Sequence, residues 1–164
     1  MKLMLYSRSA EYAIRACARL SQAPPGTYVM ARVLAAREEI PAHFLAKILQ
    51  DLAKRNFIQS NKGPNGGFAL IRDGRTPKVT VLDVVQAVDG SNCWDRCAVG
   101  LPECNDRTPC GMHDSWTAVR SRIIEYLGRT TIADVAAALD RKRDLAAESE
   151  KPRRGGRPDA NRKG

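Results

Sequence analysis

Four of the five cysteines, Cys93, Cys97, Cys104 and Cys110, fall within eighteen residues, and His113 stands three positions beyond the last. Thiolates and imidazole suit zinc, copper(I) and iron–sulfur clusters, and a loop wrapping a cluster can be ordered or released with it. An odd cysteine total argues against a disulfide framework, and a cytosolic chain keeps its thiols reduced. Zinc sites usually pair cysteines two to four residues apart, a spacing that only Cys93 and Cys97 approach. A bare thiol switch is the other competing chemistry, since Arg96 beside Cys97 could favour its thiolate.

The elements around these residues read as a DNA-binding unit. Ala10, Ala13, Ile14, Cys17 and Leu20 follow helical spacing, so residues 9–21 form a first amphipathic helix with Ser9 as its cap. Cys17 lies on its buried stripe and reads as a small core residue. A second helix covers 28–37, with Met30, Val33 and Leu34 inward. Pro41 opens a third, of which Phe44, Leu45, Ile48 and Leu52 mark the apolar face. His43, Lys47, Gln50 and Lys54 occupy its other face, as the second helix of a helix-turn-helix would present them. Alone, that pattern also suits a solvated helix.

Two short strand-like runs, 57–60 and 68–71, flank Asn61-Lys62-Gly63-Pro64-Asn65-Gly66-Gly67. A glycine-rich hairpin here completes a winged helix, and its tip can approach a phosphate backbone. Lys62, Asn65 and Gly66 are therefore candidate wing contacts. Thr80 and Asp83 open a fourth helix ending near Gly90, and Trp116, Val119, Ile123 and Leu127 stripe a long one. A short helix from Thr131 to Leu139 repeats the Thr-x-x-Asp start. Beyond it, residues 141–164 lose periodicity and are expected to be a disordered basic tail.

The net charge is +9, and +5 of it falls on residues 41–78, which favours a polyanionic partner. No apolar run approaches the ~20 residues of a membrane span, and Met1–Tyr6 is too short for a signal peptide. Two histidines, no nucleophile elbow and no P-loop argue against an enzyme. A protein-interaction module could share the helices but would not need a basic wing.

On Glu11-Tyr12-Ala13-Ile14-Arg15, the wing 62–68, the helix 82–90, and Leu101-Pro102-Glu103-Cys104 through Cys110 to His113-Asp114-Ser115-Trp116, the chain closely resembles the Rrf-two family of bacterial winged-helix regulators, the family of IscR and NsrR. The resemblance covers roughly residues 1–140. It implies a mainly α fold with a small β-hairpin wing, and a homodimer joined through a long C-terminal helix. The units would be a winged helix-turn-helix domain at 1–90, a cluster-binding loop at 91–112, a dimerisation helix with a short terminal helix at 113–140, and the tail.

The resemblance also implies a cytoplasmic transcriptional regulator, expected as a repressor, bound to double-stranded DNA at a palindromic promoter operator. Its sensing members hold an iron–sulfur cluster on three cysteines, which match Cys97, Cys104 and Cys110; a member that has lost sensing would bind DNA without a cofactor. His113 stands where the [2Fe–2S] type places its histidine. Glu11 stands where the nitric-oxide-sensing type places a first-helix carboxylate that reaches across the dimer to a [4Fe–4S] cluster. Either could instead be structural, His113 as a helix cap and Glu11 as a partner of Arg15. Cys93 is additional and could substitute for a ligand. Glu39 and Pro41 replace the glycine and serine common at the helix-turn-helix turn.

Overall fold

A computed structural model describes residues 5–64, 66–71 and 78–149. Six helices surround one hairpin: α1 Arg8–Gln22, α2 Ala31–Glu38, α3 Ala42–Lys54, β1 Ile58–Asn61, β2 Gly67–Leu70, α4 Val81–Asp89, α5 His113–Arg129 and α6 Ile132–Ser149. The mainly helical fold with a small hairpin wing is the one the sequence led us to expect. Helix α1 is the central post. Its alanines Ala10, Ala13, Ala16 and Ala18 are buried and let α4 and α6 approach closely, while Ile14, Cys17 and Leu20 complete its core face. Leu34, Leu45, Leu49, Leu52 and Ile58 join them in the core, each contributing about 1.5–3 kcal/mol by leaving water. Burial pushes the Cys17 thiol up to about 12, as expected of an inert core residue.

Several local expectations change in detail. The cap of α1 is Ser7, not Ser9: its hydroxyl oxygen accepts the Ala10 N–H at 3.1 Å. Ser7 is itself held by Asp89 at the end of α4, which receives its N–H at 2.8 Å and its hydroxyl proton. Helix α2 starts three residues later than periodicity suggests, and Pro41 caps α3 rather than opening it, its carbonyl taking the Phe44 and Leu45 N–H groups. Val33, Phe44 and Val119 are substantially exposed, because periodicity marks a stripe but not how far the neighbouring elements cover it. Phe44 instead meets Tyr12 edge to face, with centroids 5.9 Å apart.

Helix α6 corrects the expectation of a short terminal helix and a tail disordered from 141. It continues through Arg141-Lys142-Arg143-Asp144-Leu145-Ala146-Ala147-Glu148 to Ser149. Those nine residues contain no glycine or proline and several strong helix formers, and Arg143 pairs with Asp140 one turn back at 3.2 Å. Residues 150–164 lie outside the described residues.

The helix-turn-helix turn is built on Glu39, which takes the left-handed conformation at φ 54° to cap α2. Glycine adopts that geometry without strain, whereas a side-chain-bearing residue costs about 1–2 kcal/mol. Glu38, the preceding residue, is buried between Arg15 and Arg19 of α1: Arg15 Nε reaches its carboxylate at 3.0 Å, and Arg19 Nε bonds its other oxygen. Arg19 also faces Asp140 of α6 at 3.7 Å, so three helices share one ionic network. Arg15 therefore pairs with Glu38, not with Glu11.

In the wing, Ile58 pairs with Leu70 and Asn61 with Gly67 across the antiparallel register. The segment before α2 adds a bridge, Val29 and Phe68 exchanging both backbone bonds at 2.9 Å, which fastens the hairpin to the helix-turn-helix. Gly67 lies against that bridge with φ 151°, where an added Cβ would stand 2.5 Å from the Val29 carbonyl oxygen. Gly67→Ala is expected to destabilise the domain by about 1–3 kcal/mol, measurable as a lower denaturation midpoint. An unchanged midpoint would mean the bridge yields at no cost.

Thr80 and Asp83 form the expected reciprocal box at the start of α4, and Thr131 with Asp134 forms a second at α6. The two helix starts are joined by Val81 N–H to Thr130 O (2.8 Å) and Ile132 N–H to Val79 O (2.9 Å). Bonds from Thr131 hold the Asp134 carboxyl below its ordinary value. Among the described residues, no helix is long and apolar enough to cross a membrane.

Candidate functional site

His43, Lys47, Gln50 and Lys54 all project from the exposed face of α3. Gln50, Lys62 and Gly66 line one cleft of about 470 Å³ between that helix and the wing, together with Met30 and Asn61. Lys47 and Lys54 line a second cleft of about 670 Å³, where α3 faces Ser7 and Asp89. Arg55, which helical spacing had not singled out, joins them there; the local charge excess was its only sequence signal. Lys54 is partly neutralised by Asp51 at 3.2 Å. Asn65 lies outside the described residues.

The cysteine loop between α4 and α5 contains no helix or strand and is pinned by the chain's two tryptophans. Trp94 is buried and gives its indole N–H to the Leu5 carbonyl at 3.2 Å, and Trp116 on α5 gives its own to the Arg96 carbonyl at 2.9 Å. The second bond holds the backbone immediately before Cys97. Cys97 is buried, and the backbone N–H groups of Val99 and Leu101 point at its sulfur. Those two donors, then the Cys110 thiol and the Gly100 N–H, hold the Cys97 thiol below its ordinary value against the opposing effect of burial. Gly100, at φ 79°, lets the chain turn back for these contacts.

A second contact lies beside the first. Cys104 Sγ is 3.5 Å from His113 Nδ1, and His113 Nε2 is 2.8 Å from Asp106 Oδ1. His113 is the buried first residue of α5, and its N–H reaches the Cys110 carbonyl at 2.9 Å. The structure thus brings Cys97 to Cys110 and Cys104 to His113, but among the described residues no three such side chains converge on one point. Cys93 is half-buried and joins neither pair; burial first, then Asp89, raises its thiol. Glu11 is half-buried on α1 near Tyr6, whose hydroxyl burial and that carboxylate push up. It contacts neither thiol pair. Soft thiolates, one imidazole and backbone N–H groups aimed at sulfur form a donor set that fits an iron–sulfur cluster.

The family description "Rrf2: Iron-dependent Transcriptional regulator" matches residues 6–138. The chain belongs to the Rrf2 family. It is similar to a Mycobacterium tuberculosis protein named as an HTH-type transcriptional regulator, 37% identical over 81% of each chain. The HTH-type transcriptional regulator IscR of Vibrio vulnificus is 30% identical over 82% of this chain and 77% of its own. Among solved structures, CymR, the global cysteine regulator of B. subtilis, shares the fold with a TM-score of 0.65 at 19% identity, over 83% of this chain and 98% of that one. This Rrf2 protein is accordingly a transcriptional regulator from a DNA-binding family, not an enzyme.

Proposed function

We propose that this Rrf2 protein is a DNA-binding repressor whose operator affinity depends on an iron–sulfur cluster held by Cys97, Cys104, Cys110 and His113. The observation that carries the proposal is the 3.5 Å contact of Cys104 Sγ with His113 Nδ1, in the one loop that also holds Cys97 and Cys110. His113 is preferred to Glu11 because it already meets a cysteine within the protomer; Glu11 would have to reach a partner's site. That choice favours the [2Fe–2S] form. When bound, the cluster supplies a centre sensitive to iron supply, oxidants and nitric oxide.

The chain's own residues would link that loop to DNA reading. His113 begins α5, Trp116 fastens the loop to it, and Trp94 fastens the loop to the segment before α1. Much of α5 is uncovered within one protomer, with Val119 and Tyr126 exposed, which suits a homodimer joined along this helix at 113–129. Movement of α5 would then change the spacing of two reading heads on a palindromic operator. The two loop states must differ in DNA affinity for this to regulate anything. Helix α3 would enter the major groove with His43, Lys47, Gln50 and Lys54. The wing, with Lys62, Asn65 and Gly66, would lie along the minor groove.

The test is anaerobic purification with iron, sulfide and zinc assays, followed by gel shifts of loaded and metal-free protein. Matched iron and sulfide with unequal operator affinities are expected; identical affinities would sink the regulatory link. Gln50→Ala is expected to cost about 1–3 kcal/mol at one operator position, whereas Lys62→Ala should weaken all sequences alike and lower the salt slope by about 1. A thiol switch is the second reading, favoured by the Cys97 thiol being held below its ordinary value, with Cys110 among the causes. A reversible disulfide between those two residues in protein lacking metal would establish it.

A further inference from the structure

Asp106 lies between the second and third candidate ligands, and its side chain is almost wholly exposed. Its carboxylate is nevertheless directed inward. Asn105 folds the turn that carries it, its side-chain oxygen accepting the Arg107 N–H at 3.1 Å, the Thr108 N–H at 3.0 Å and the Thr108 hydroxyl at 3.2 Å. The Asn105 amide is held in turn by Glu103 at 2.9 Å. The result is the 2.8 Å contact between Asp106 Oδ1 and His113 Nε2.

A neutral imidazole has one N–H and one lone pair, and an ionised carboxylate only accepts. Asp106 therefore draws the ring proton to Nε2. The lone pair is left on Nδ1, which is the atom 3.5 Å from Cys104 Sγ. The consequence of this contact is directional. Outer carboxylates that fix a histidine tautomer in this way orient and strengthen the ligand.

We infer that Asp106 is a positioning residue for the metal centre, holding His113 so that Nδ1 faces Cys104 as the donor atom. The inference rests on the proposed role of His113 and adds a residue to it. Two measurements test it. In metal-free protein, the ¹⁵N shifts of the His113 ring should report the Nε2–H form in the wild type. Asp106→Ala should shift the ring towards the other tautomer, and Asp106→Glu, which keeps an acceptor-only carboxylate, should restore it. In protein reconstituted with iron and sulfide, Asp106→Ala should lose iron to a chelator roughly 10–100-fold faster, with Asp106→Glu close to wild type. Wild-type tautomer and wild-type iron retention in Asp106→Ala would overturn the inference. A wild-type chain that takes up no iron would instead overturn the cluster reading beneath it, and the ring shifts would tell the two failures apart.

Discussion

Cys97→Ala protein, reconstituted anaerobically with iron and sulfide, is expected to retain almost no iron, while Cys93→Ala retains as much as the wild type. Cys97 is the buried thiol of the loop, and its sulfur receives the N–H groups of Val99 and Leu101. Removing that sulfur deletes a ligand and leaves those donors without their acceptor. The loss in retention should exceed the roughly 10–100-fold that follows from losing an outer-shell partner alone. Cys93 touches neither sulfur contact, so its removal should leave the centre intact. Iron and sulfide assays after desalting decide the matter. Equal iron in wild type and Cys97→Ala would remove Cys97 from the ligand set, and loss in Cys93→Ala would bring Cys93 into it.

Glu38→Ala is expected to be the most damaging change away from the cysteine loop, at about 3 kcal/mol. Glu38 is buried at the end of α2 and neutralises Arg15 and Arg19 of α1, which would be left facing each other without their counter-ion. The cost belongs at the low end for a broken buried pair, because Arg15 is 38% exposed at its side chain and can turn to water. Arg19, at 13%, has less freedom, although Asp140 stands within 3.7 Å. For a chain of this size the melting temperature should fall by about 6–12 °C. Asp140→Asn should cost far less, since Asp140 is half exposed. A thermal melt of both variants checks the ranking, and equal losses would mean the network is held at α6 rather than at the helix-turn-helix.

Much of the architecture was legible because it is set by local chemistry. Thr80 with Asp83 and Thr131 with Asp134 cap their helices across three residues, and the glycines at 66 and 67 mark the hairpin. That Glu39, standing where the family commonly has glycine, takes a left-handed φ of 54° was not read from the sequence. The end of α6 was misread because charge density between 141 and 149 resembled a solvated tail. Those same residues are good helix formers, anchored by the preceding turns that pack on α1. The cap of α1 was misplaced by two residues because Ser7 and Ser9 are chemically equivalent; only Asp89, 82 residues away, distinguishes Ser7.

The family and the helix-turn-helix with its wing were legible before the fold was known, as were three thiols and an imidazole as candidate ligands. These follow from residue types at fixed short spacings, where caps, turns and apolar periodicity act within a few residues of one another. Folding was needed to set Cys104 against His113 and to place Asp106 on the far side of that ring. It alone buried Glu38 between two arginines and fastened the wing through Val29. These contacts depend on how helices from distant parts of the chain pack on α1. Periodicity fixes which face of a helix is apolar, but not which side chains from other elements stand opposite it.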